Sequence, residues 1–339
     1  MTNTPTSKKR HDCLNTIRII TAICVLYRHT IAHLNIDIPE IVTNIMSYFP
    51  GVPIFFSLSG FLMWGSIGRS QTFSEYLKKR FWSIYPQLWI AIAIEIIVLL
   101  CLYTEPINWL QLGMFIITQS TIFQFWTPDF LRGYGCGCPN GSLWTICVII
   151  QFYFFAYFIY KTLHGKKNNI WFIAIFISAI IAYFSPRIEA CLPDIIGKLY
   201  SQTLLPYLWM FLAAAFIAEN KGKILPFIQK YWFVFIAITI VSKIAHLDID
   251  LSNYNLIQTI TTFTGLLGAS SVFPKLNIKT NISYGIYLYH MTVVNALIAL
   301  HYTQSPWLLP IVIAVTCILA WASQKTVGEW SMKAKRSLR

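Results

Sequence analysis

Long apolar runs alternate with short polar stretches along the whole chain. A helix that crosses the hydrocarbon core of a bilayer, about 30 Å thick, needs about 20 mostly apolar residues. Ten runs approach this length, and they predict an all-α, polytopic membrane protein with about ten transmembrane helices. These runs are 14–34, 49–68, 84–103, 143–162, 170–185, 202–219, 231–247, 256–273, 283–301 and 306–324.

An eleventh apolar segment, 107–126, is interrupted by Gln111, Gln119 and Gln124. Lys and Arg collect in the cytoplasmic loops of membrane proteins, so the loops indicate whether this segment crosses. If it does not cross, most of the 26 Lys and Arg residues fall on one side of the membrane. We therefore expect 107–126 to be re-entrant or interfacial, with both termini cytoplasmic. The predicted outer loops then hold Arg132, Arg187 and Lys198 as their basic residues.

Composition narrows the class of protein further. Only 12% of the residues are charged and 56% are hydrophobic, whereas a soluble chain has about 25% charged residues. This excludes a disordered chain and argues against a soluble enzyme. The net charge of +13 is explained by cytoplasmic loops at a lipid bilayer, without a nucleic-acid partner. We predict a basic cytoplasmic N-terminus at 1–13, a transmembrane domain at 14–324 and a basic cytoplasmic tail at 325–339.

The first predicted helix contains Arg18, Arg28 and His29. Ionisable residues in a membrane are costly and are therefore candidates for function. Arg18 and His29 differ by about 20° around the helix and by about 16 Å along it, so they share one face at two depths. On this face, the Arg18 cation could bind phosphate and the His29 imidazole could transfer a proton. The alternative is that both side chains form structural polar contacts between helices. We expect Glu95 to pair with Arg28 or Lys243.

A second polar face lies in the ninth predicted helix. Tyr284, Tyr287 and His290 are spaced three residues apart, so they lie on one broad face. That face is either a wall of a substrate site or a set of hydrogen bonds between helices.

The eight cysteines do not have the spacing of a metal site. Cys136 and Cys138 lie in a Gly-rich turn of a predicted outer loop, and Cys191 lies in another. A disulfide from Cys136 or Cys138 to Cys191 is one possibility in an oxidising compartment, and free thiols are the other.

Five segments in order resemble motifs of the acyltransferase-3 family of integral membrane acyltransferases. The first helix, LNTIRIITAICVLYRHT, has that family's Arg and His separated by ten residues. The other four segments are PGVPIFFSLSGFLMW, KKRFWSIYPQLW, NGSLWTICVIIQFY and ISYGIYLYH. The resemblance covers nearly the whole chain.

The resemblance implies ten helices in a bacterial cytoplasmic (inner) membrane. It implies transfer of an acyl group, most often acetyl, from coenzyme A to a hydroxyl of a surface polysaccharide or lipid-linked sugar. Acetyl-CoA is then a donor substrate, and no bound cofactor is expected. Carried over by residue, His29 is the catalytic base, and Arg18 and Arg80 hold the donor.

Other residues are candidates for lining this site. Tyr287, Ser59 or Asn140 would donate a hydrogen bond to the oxyanion, and the sequence does not choose among them. A covalent acyl-histidine intermediate is an alternative route. Trp144 and Trp126 flank the predicted outer loop 127–142, so they are candidates for contact with a sugar ring, against the bland alternative of a membrane-interface belt.

Two positions depart from the family pattern. Ser83 stands where the KKRFWSIYP segment is expected to carry a second Arg, and Ile149 stands where an acidic residue usually follows the NGSLWT segment. Lys78, Lys79 and Arg80 are expected to compensate for the missing Arg. The departures keep two alternatives open, an exporter of glycans or lipid-linked sugars and a catalytically inactive family member.

Overall fold

The computed structural model describes residues 13–273, 276 and 278–337. Of the segment predicted at 1–13, only Cys13 is described, and the last two residues of the predicted tail also lie outside the described part. The described chain is built from helices, which run as α1 (Leu14–His33), α2 (Glu40–Ser47), α3 (Gly51–Ile67), α4 (Phe73–Leu102), α5 (Trp109–Ser120), α6 (Trp144–Leu163), α7 (Asn168–Cys191), α8 (Asp194–Ser201), α9 (Leu208–Glu219), α10 (Lys221–Ile244), α11 (Leu256–Val272), α12 (Ser283–Ala299), α13 (Leu308–Ser323) and α14 (Glu329–Arg336).

Short elements connect these helices. Single 3-10 turns precede α6 at Gly141–Leu143 and α9 at Leu205–Tyr207, and a π-helical turn at Gln324–Gly328 joins α13 to α14. A two-stranded antiparallel hairpin, β1 (Asp250–Leu251) and β2 (Tyr254–Asn255), precedes α11.

Each of the ten predicted apolar runs overlaps one of these helices over most of its length. Within the described residues, six helical segments are long and apolar enough to cross a membrane, and the bent pair Asp194–Ser201 and Leu205–Glu219 makes a seventh. The chain is therefore an all-α integral membrane protein. The count of ten crossings and the cytoplasmic position of both termini stay predictions.

The segment 107–126 forms a short helix followed by turns. Helix α5 has 12 residues, which gives a length of about 18 Å, well under the bilayer core. It begins after Asn108, whose side chain accepts from the backbone N–H of Gln111 at 3.1 Å. Gln119 is buried and donates to the carbonyl oxygen of Trp126 at 2.9 Å, so this amide closes the turn after α5.

Helices α7 and α10 face outward, whereas α12 lies in the centre. The exposed residues of α7 include Phe172, Ile173 and Phe176, which is the surface expected against lipid tails. Most residues of α12 between Ser283 and Asn295 are buried, and α12 packs against α1, α4 and α13. A helix that is enclosed on all sides holds its polar side chains in fixed positions.

Candidate functional site

Two imidazole rings from distant parts of the chain meet where α1 packs against α12. The Nδ1 atom of His29 lies 2.8 Å from the Nε2 atom of His290, and the ring centroids are 5.1 Å apart. His290 is fully buried and His29 is half-buried. The structure thus brings the predicted base into contact with a residue that the sequence assigned only to a possible wall.

The hydrogen-bond partners of His290 determine which nitrogen carries its proton. Its Nδ1 atom lies 2.9 Å from the carbonyl oxygen of Tyr287 and 3.2 Å from that of Ile286. Carbonyl oxygens only accept, so Nδ1 is the donor, and Nε2 of the neutral ring accepts from His29. His29 therefore donates through Nδ1, which leaves the lone pair of the neutral ring on its Nε2 atom. This nitrogen is the one that can take a proton.

His33 continues the row of imidazoles from His29 toward the surface. Its ring centroid lies 5.9 Å from that of His29, and its side chain is exposed at the end of α1. Over the described part of the chain, no three His, Cys, Asp or Glu residues are arranged to hold a metal ion.

A cavity of about 390 Å³ lies between α1, α3, α4, α12 and the C-terminal helix. Among the described residues, three cations line it, Arg18, Arg80 and Lys335, and no acidic residue does. Ile149, at the position where an acidic residue was expected, lines it with an apolar side chain. Because no carboxylate of the described residues lines the cavity beside these cations, the cavity favours an anionic ligand. We call it the cationic cavity.

Arg80 is held in the cationic cavity by α4. This helix begins with a capping box, in which Thr72 accepts from the N–H of Glu75 and Glu75 accepts from the N–H of Gln71. Two turns later, the Nη2 atom of Arg80 donates to Ser66 at 2.7 Å. Its guanidinium lies 5.4 Å from the ring centroid of Tyr153. These contacts orient a planar fork that matches phosphate geometry.

Lys335, which the sequence placed only in the basic tail, reaches Ser83, the position where the family motif is expected to carry a second Arg. Its Nζ atom donates to the hydroxyl of Ser83 at 2.7 Å. The expected compensation by Lys78 and Lys79 is not what the structure shows, since neither lines the cavity. Lys79 forms an ion pair with Glu75 on the same helix, and Lys78 is exposed.

Tyr287 lines the cationic cavity and also contacts the histidine pair. Its ring centroid is 5.8 Å from that of His290. Its hydroxyl lies 2.5 Å from the carbonyl oxygen of Ser142 and 2.5 Å from the Thr145 hydroxyl. The single phenolic proton is donated to that carbonyl, so Thr145 is the donor to Tyr287. Ser59, another of the three predicted oxyanion donors, also lines the cavity, and its hydroxyl has no hydrogen-bond partner among the described residues.

Asn140 and Glu95 form a different contact from those that the sequence predicted. The Asn140 amide donates to the carbonyl oxygen of Leu288 at 2.9 Å and to Glu95 at 3.4 Å, so it ties the turn before α6 to α12. The expected ion pair of Glu95 with Arg28 or Lys243 was wrong. Arg28 is exposed, and Lys243 donates to a backbone carbonyl elsewhere, because these helices present them on other faces.

Trp144 lines a second cavity of about 270 Å³, together with Gln124, Gln202 and Tyr207. Its ring contacts that of Tyr207, with centroids 5.6 Å apart. Trp126, the other aromatic residue considered for a sugar ring, packs in a separate apolar cluster. We call this second space the amide cavity.

The cysteines of the predicted outer loops are free thiols. Cys136, Cys138 and Cys191 form no disulfide. The Sγ atom of Cys138 lies 3.1 Å from the hydroxyl of Thr127, which keeps it within its own loop. The sequence left open a disulfide or free thiols, and in the structure these cysteines are free thiols.

Comparison with known proteins gives the family. The family model described as "Acyltransferase domain" matches residues 11–324. The chain is 27% identical over 344 aligned residues to Nodulation protein 10 of Rhizobium leguminosarum bv. viciae, covering 95% of this chain and 93% of the relative. No solved structure matches the chain significantly. The family match spans nearly the whole chain, including both histidines and two of the three cations of the cationic cavity, so this protein belongs to the acyltransferase-3 family of membrane acyltransferases.

Proposed function

We propose that this protein transfers an acetyl group from acetyl-CoA to a hydroxyl of a cell-surface polysaccharide or lipid-linked sugar. We place it in the bacterial inner membrane. The observation that carries the proposal is the cationic cavity, whose lining residue Tyr287 contacts His290 of the His29–His290 pair. Acyl transfer from acetyl-CoA to a hydroxyl needs a site for the anionic phosphate groups of the donor and a base for the hydroxyl proton.

Arg18, Arg80 and Lys335 hold the phosphate groups of the donor in this proposal. Arg18 makes no hydrogen bond or ion pair with the described residues, and the Nε atom of Arg80 is buried without a partner among them. A buried donor without a partner is costly, and phosphate oxygens satisfy both guanidinium groups. The acyl end then points along α1 toward His29.

His29 acts as the general base. Its Nε2 atom takes the proton of the acceptor hydroxyl while that oxygen bonds to the thioester carbonyl carbon. The C–S bond then breaks, and the thiolate of coenzyme A takes the proton back from Nε2, so an ester and a free thiol are formed without net proton release. Throughout the reaction, the Nε2 atom of His290 accepts a hydrogen bond from the Nδ1–H of His29. This contact keeps the Nε2 atom of His29 available as the base.

Ser59 donates a hydrogen bond to the oxyanion that forms on the thioester carbonyl. Tyr287 and Asn140 have their donor hydrogens engaged by the carbonyl oxygens of Ser142 and Leu288. Removal of one oxyanion donor typically costs about 10²–10³ in rate, so we expect that loss for Ser59→Ala.

The test uses the full-length protein purified in detergent. We expect it to bind acetyl-CoA, and to release the CoA thiol when given glycan extracted from cells that lack the gene. Arg18→Ala should raise the Kd for acetyl-CoA about tenfold or more, whereas Arg28→Ala, an exposed Arg of the same helix, should not.

His29→Asn should bind acetyl-CoA normally and lose transfer by about 10²–10⁴. His301→Asn is the matched control, because His301 is exposed and has a positive φ of 62° that Asn tolerates. Mass spectrometry of the glycan identifies the transferred acyl group. A wild-type protein that binds no acetyl-CoA but changes the amount of surface glycan would instead be an exporter.

A further inference from the structure

The amide cavity differs in chemistry from the cationic cavity. No charged residue of the described part of the chain lines it, and it combines the amides of Gln124 and Gln202 with the rings of Trp144 and Tyr207. Its volume of about 270 Å³ is near the lower end of small-molecule sites, which span about 300–1,000 Å³. A neutral and compact ligand fits such a space better than a nucleotide or an oligosaccharide.

Both amides in this cavity have an unpaired oxygen. The Oε1 atoms of Gln124 and Gln202 are buried and have no hydrogen-bond partner among the described residues. Their Nε2 atoms are engaged, that of Gln124 with the carbonyl oxygen of Thr121 at 2.6 Å and that of Gln202 with Ser201 at 3.4 Å. The side chain of Gln124 is only 2% exposed. Both residues line the cavity, so a small rotation of either amide lets its unpaired oxygen accept a hydrogen bond from a ligand there.

Aromatic rings form the other side of the amide cavity. Trp144 and Tyr207 both contact Phe56, with ring centroids 6.4 Å and 5.1 Å away. Phe56 also lines the cationic cavity, so the rings that line the amide cavity pack directly against a lining residue of the cationic cavity. Aromatic rings beside amide oxygens that accept hydrogen bonds match a ligand with an apolar ring face and with hydroxyl groups at its edge.

The turn at Gly141–Leu143 connects the amide cavity to the histidine pair. Gly141 lines the cavity, and the carbonyl oxygen of Ser142 accepts from Tyr287, whose ring contacts His290. In the sequence prediction, this turn and Gln202 lie on the outer side of the membrane. The amide cavity thus adjoins the reacting groups from the side opposite to the predicted donor entrance.

We propose that the amide cavity binds one pyranose ring of the acceptor, with hydroxyl groups donating to Gln124 and Gln202 and the ring face against Trp144. This inference rests on the proposed function, because it names the acceptor side of the same acyl transfer. The hydroxyl that is acylated then projects past the Phe56 layer toward the thioester.

The test separates acceptor binding from donor binding. The double variant Gln124→Leu/Gln202→Leu and the single variant Trp144→Leu are purified in detergent and given acetyl-CoA and glycan extracted from cells that lack the gene. We expect the KM for glycan to rise about tenfold or more, since each lost hydrogen bond to a buried group is a tenfold effect in order of magnitude. The Kd for acetyl-CoA should stay within twofold of wild type, which also shows that the variants are folded.

Matched controls come from residues of the same type outside both cavities. Gln111→Leu in α5 and Trp307→Leu, at a Trp that is 77% exposed, should leave both constants unchanged. If the double variant does not accumulate, Gln202→Leu at its half-buried position carries the same expectation.

Two other results would overturn the inference in different ways. An unchanged KM for glycan in variants that still bind acetyl-CoA would mean that the amide cavity holds water and not the acceptor. A wild-type protein that neither binds acetyl-CoA nor releases the CoA thiol would overturn the proposed function and this subsite with it.

Discussion

The hydroxyl of Ser83 accepts a 2.7 Å hydrogen bond from the ammonium of Lys335, two residues that are 252 positions apart in the chain. The same hydroxyl donates to the carbonyl oxygen of Lys79 at 2.7 Å. Ser83 therefore has no proton left for a ligand, and its function is to position a cation that another helix supplies. The structure thus has a cation from another helix at the position of the family departure.

We expect Lys335→Ala to raise the Kd for acetyl-CoA about tenfold or more, because hydrogen bonds to charged groups contribute about 1.5–3 kcal/mol. Lys333→Ala, an exposed Lys of the same helix, should leave the Kd unchanged. The exchange Ser83→Arg/Lys335→Ser should recover most of the affinity, since it returns one cation to the same place. Titration of acetyl-CoA into the purified variants checks all three, and equal Kd values throughout would remove Lys335 from the donor site.

The His29–His290 contact predicts a difference between two substitutions of His290. His290→Leu removes the acceptor for His29 Nδ1–H, so we expect transfer to fall by about 10²–10⁴ while the Kd for acetyl-CoA stays constant. His290→Gln keeps an amide oxygen as acceptor and should retain considerably more activity. The measurement is the rate of CoA thiol release at saturating acetyl-CoA. Equal rates for the Leu and Gln variants would show that His290 does not act through its hydrogen bond.

Tyr287 is expected to act on stability and not on the oxyanion. Tyr287→Phe removes both hydrogen bonds of the buried hydroxyl, to the carbonyl oxygen of Ser142 and to the Thr145 hydroxyl, which should lower the free energy of unfolding by about 1–3 kcal/mol. Thermal unfolding in detergent reports this as a lower Tm, with the transfer rate within a few fold of wild type. A normal Tm combined with a rate loss of about 10²–10³ would instead identify Tyr287 as the oxyanion donor.

Gly60 sets how closely α3 approaches α9. A Cβ atom at this position would overlap the carbonyl oxygen of Phe211, and a backbone atom of a packed helix cannot move aside cheaply. Gly60→Ala should therefore sharply reduce the amount of folded protein recovered. Gly113→Ala is the matched control, because a Cβ there meets no described atom within 4 Å and Ala favours a helix by about 1 kcal/mol over Gly. The comparison is made by size-exclusion chromatography of the detergent extract.

Hydropathy along the chain predicted the long helices because it is a local property. Every predicted apolar run overlaps a helix, and the Gln-interrupted segment 107–126 forms only the short α5. The periodicity of α1 also placed Arg18 and His29 on one face at different depths. The motifs predicted the acyltransferase family, and the family match confirmed it.

The tertiary structure decided which of these residues act together. It pairs His29 with His290 and Lys335 with Ser83. It also places Gln124 and Gln202 in one cavity. No local sequence pattern connects the members of these pairs. They depend on how helices far apart in sequence pack, and ridges and grooves of whole helices determine that packing. For the same reason, Glu95 accepts a hydrogen bond from the Asn140 amide and does not form the expected ion pair with a cation.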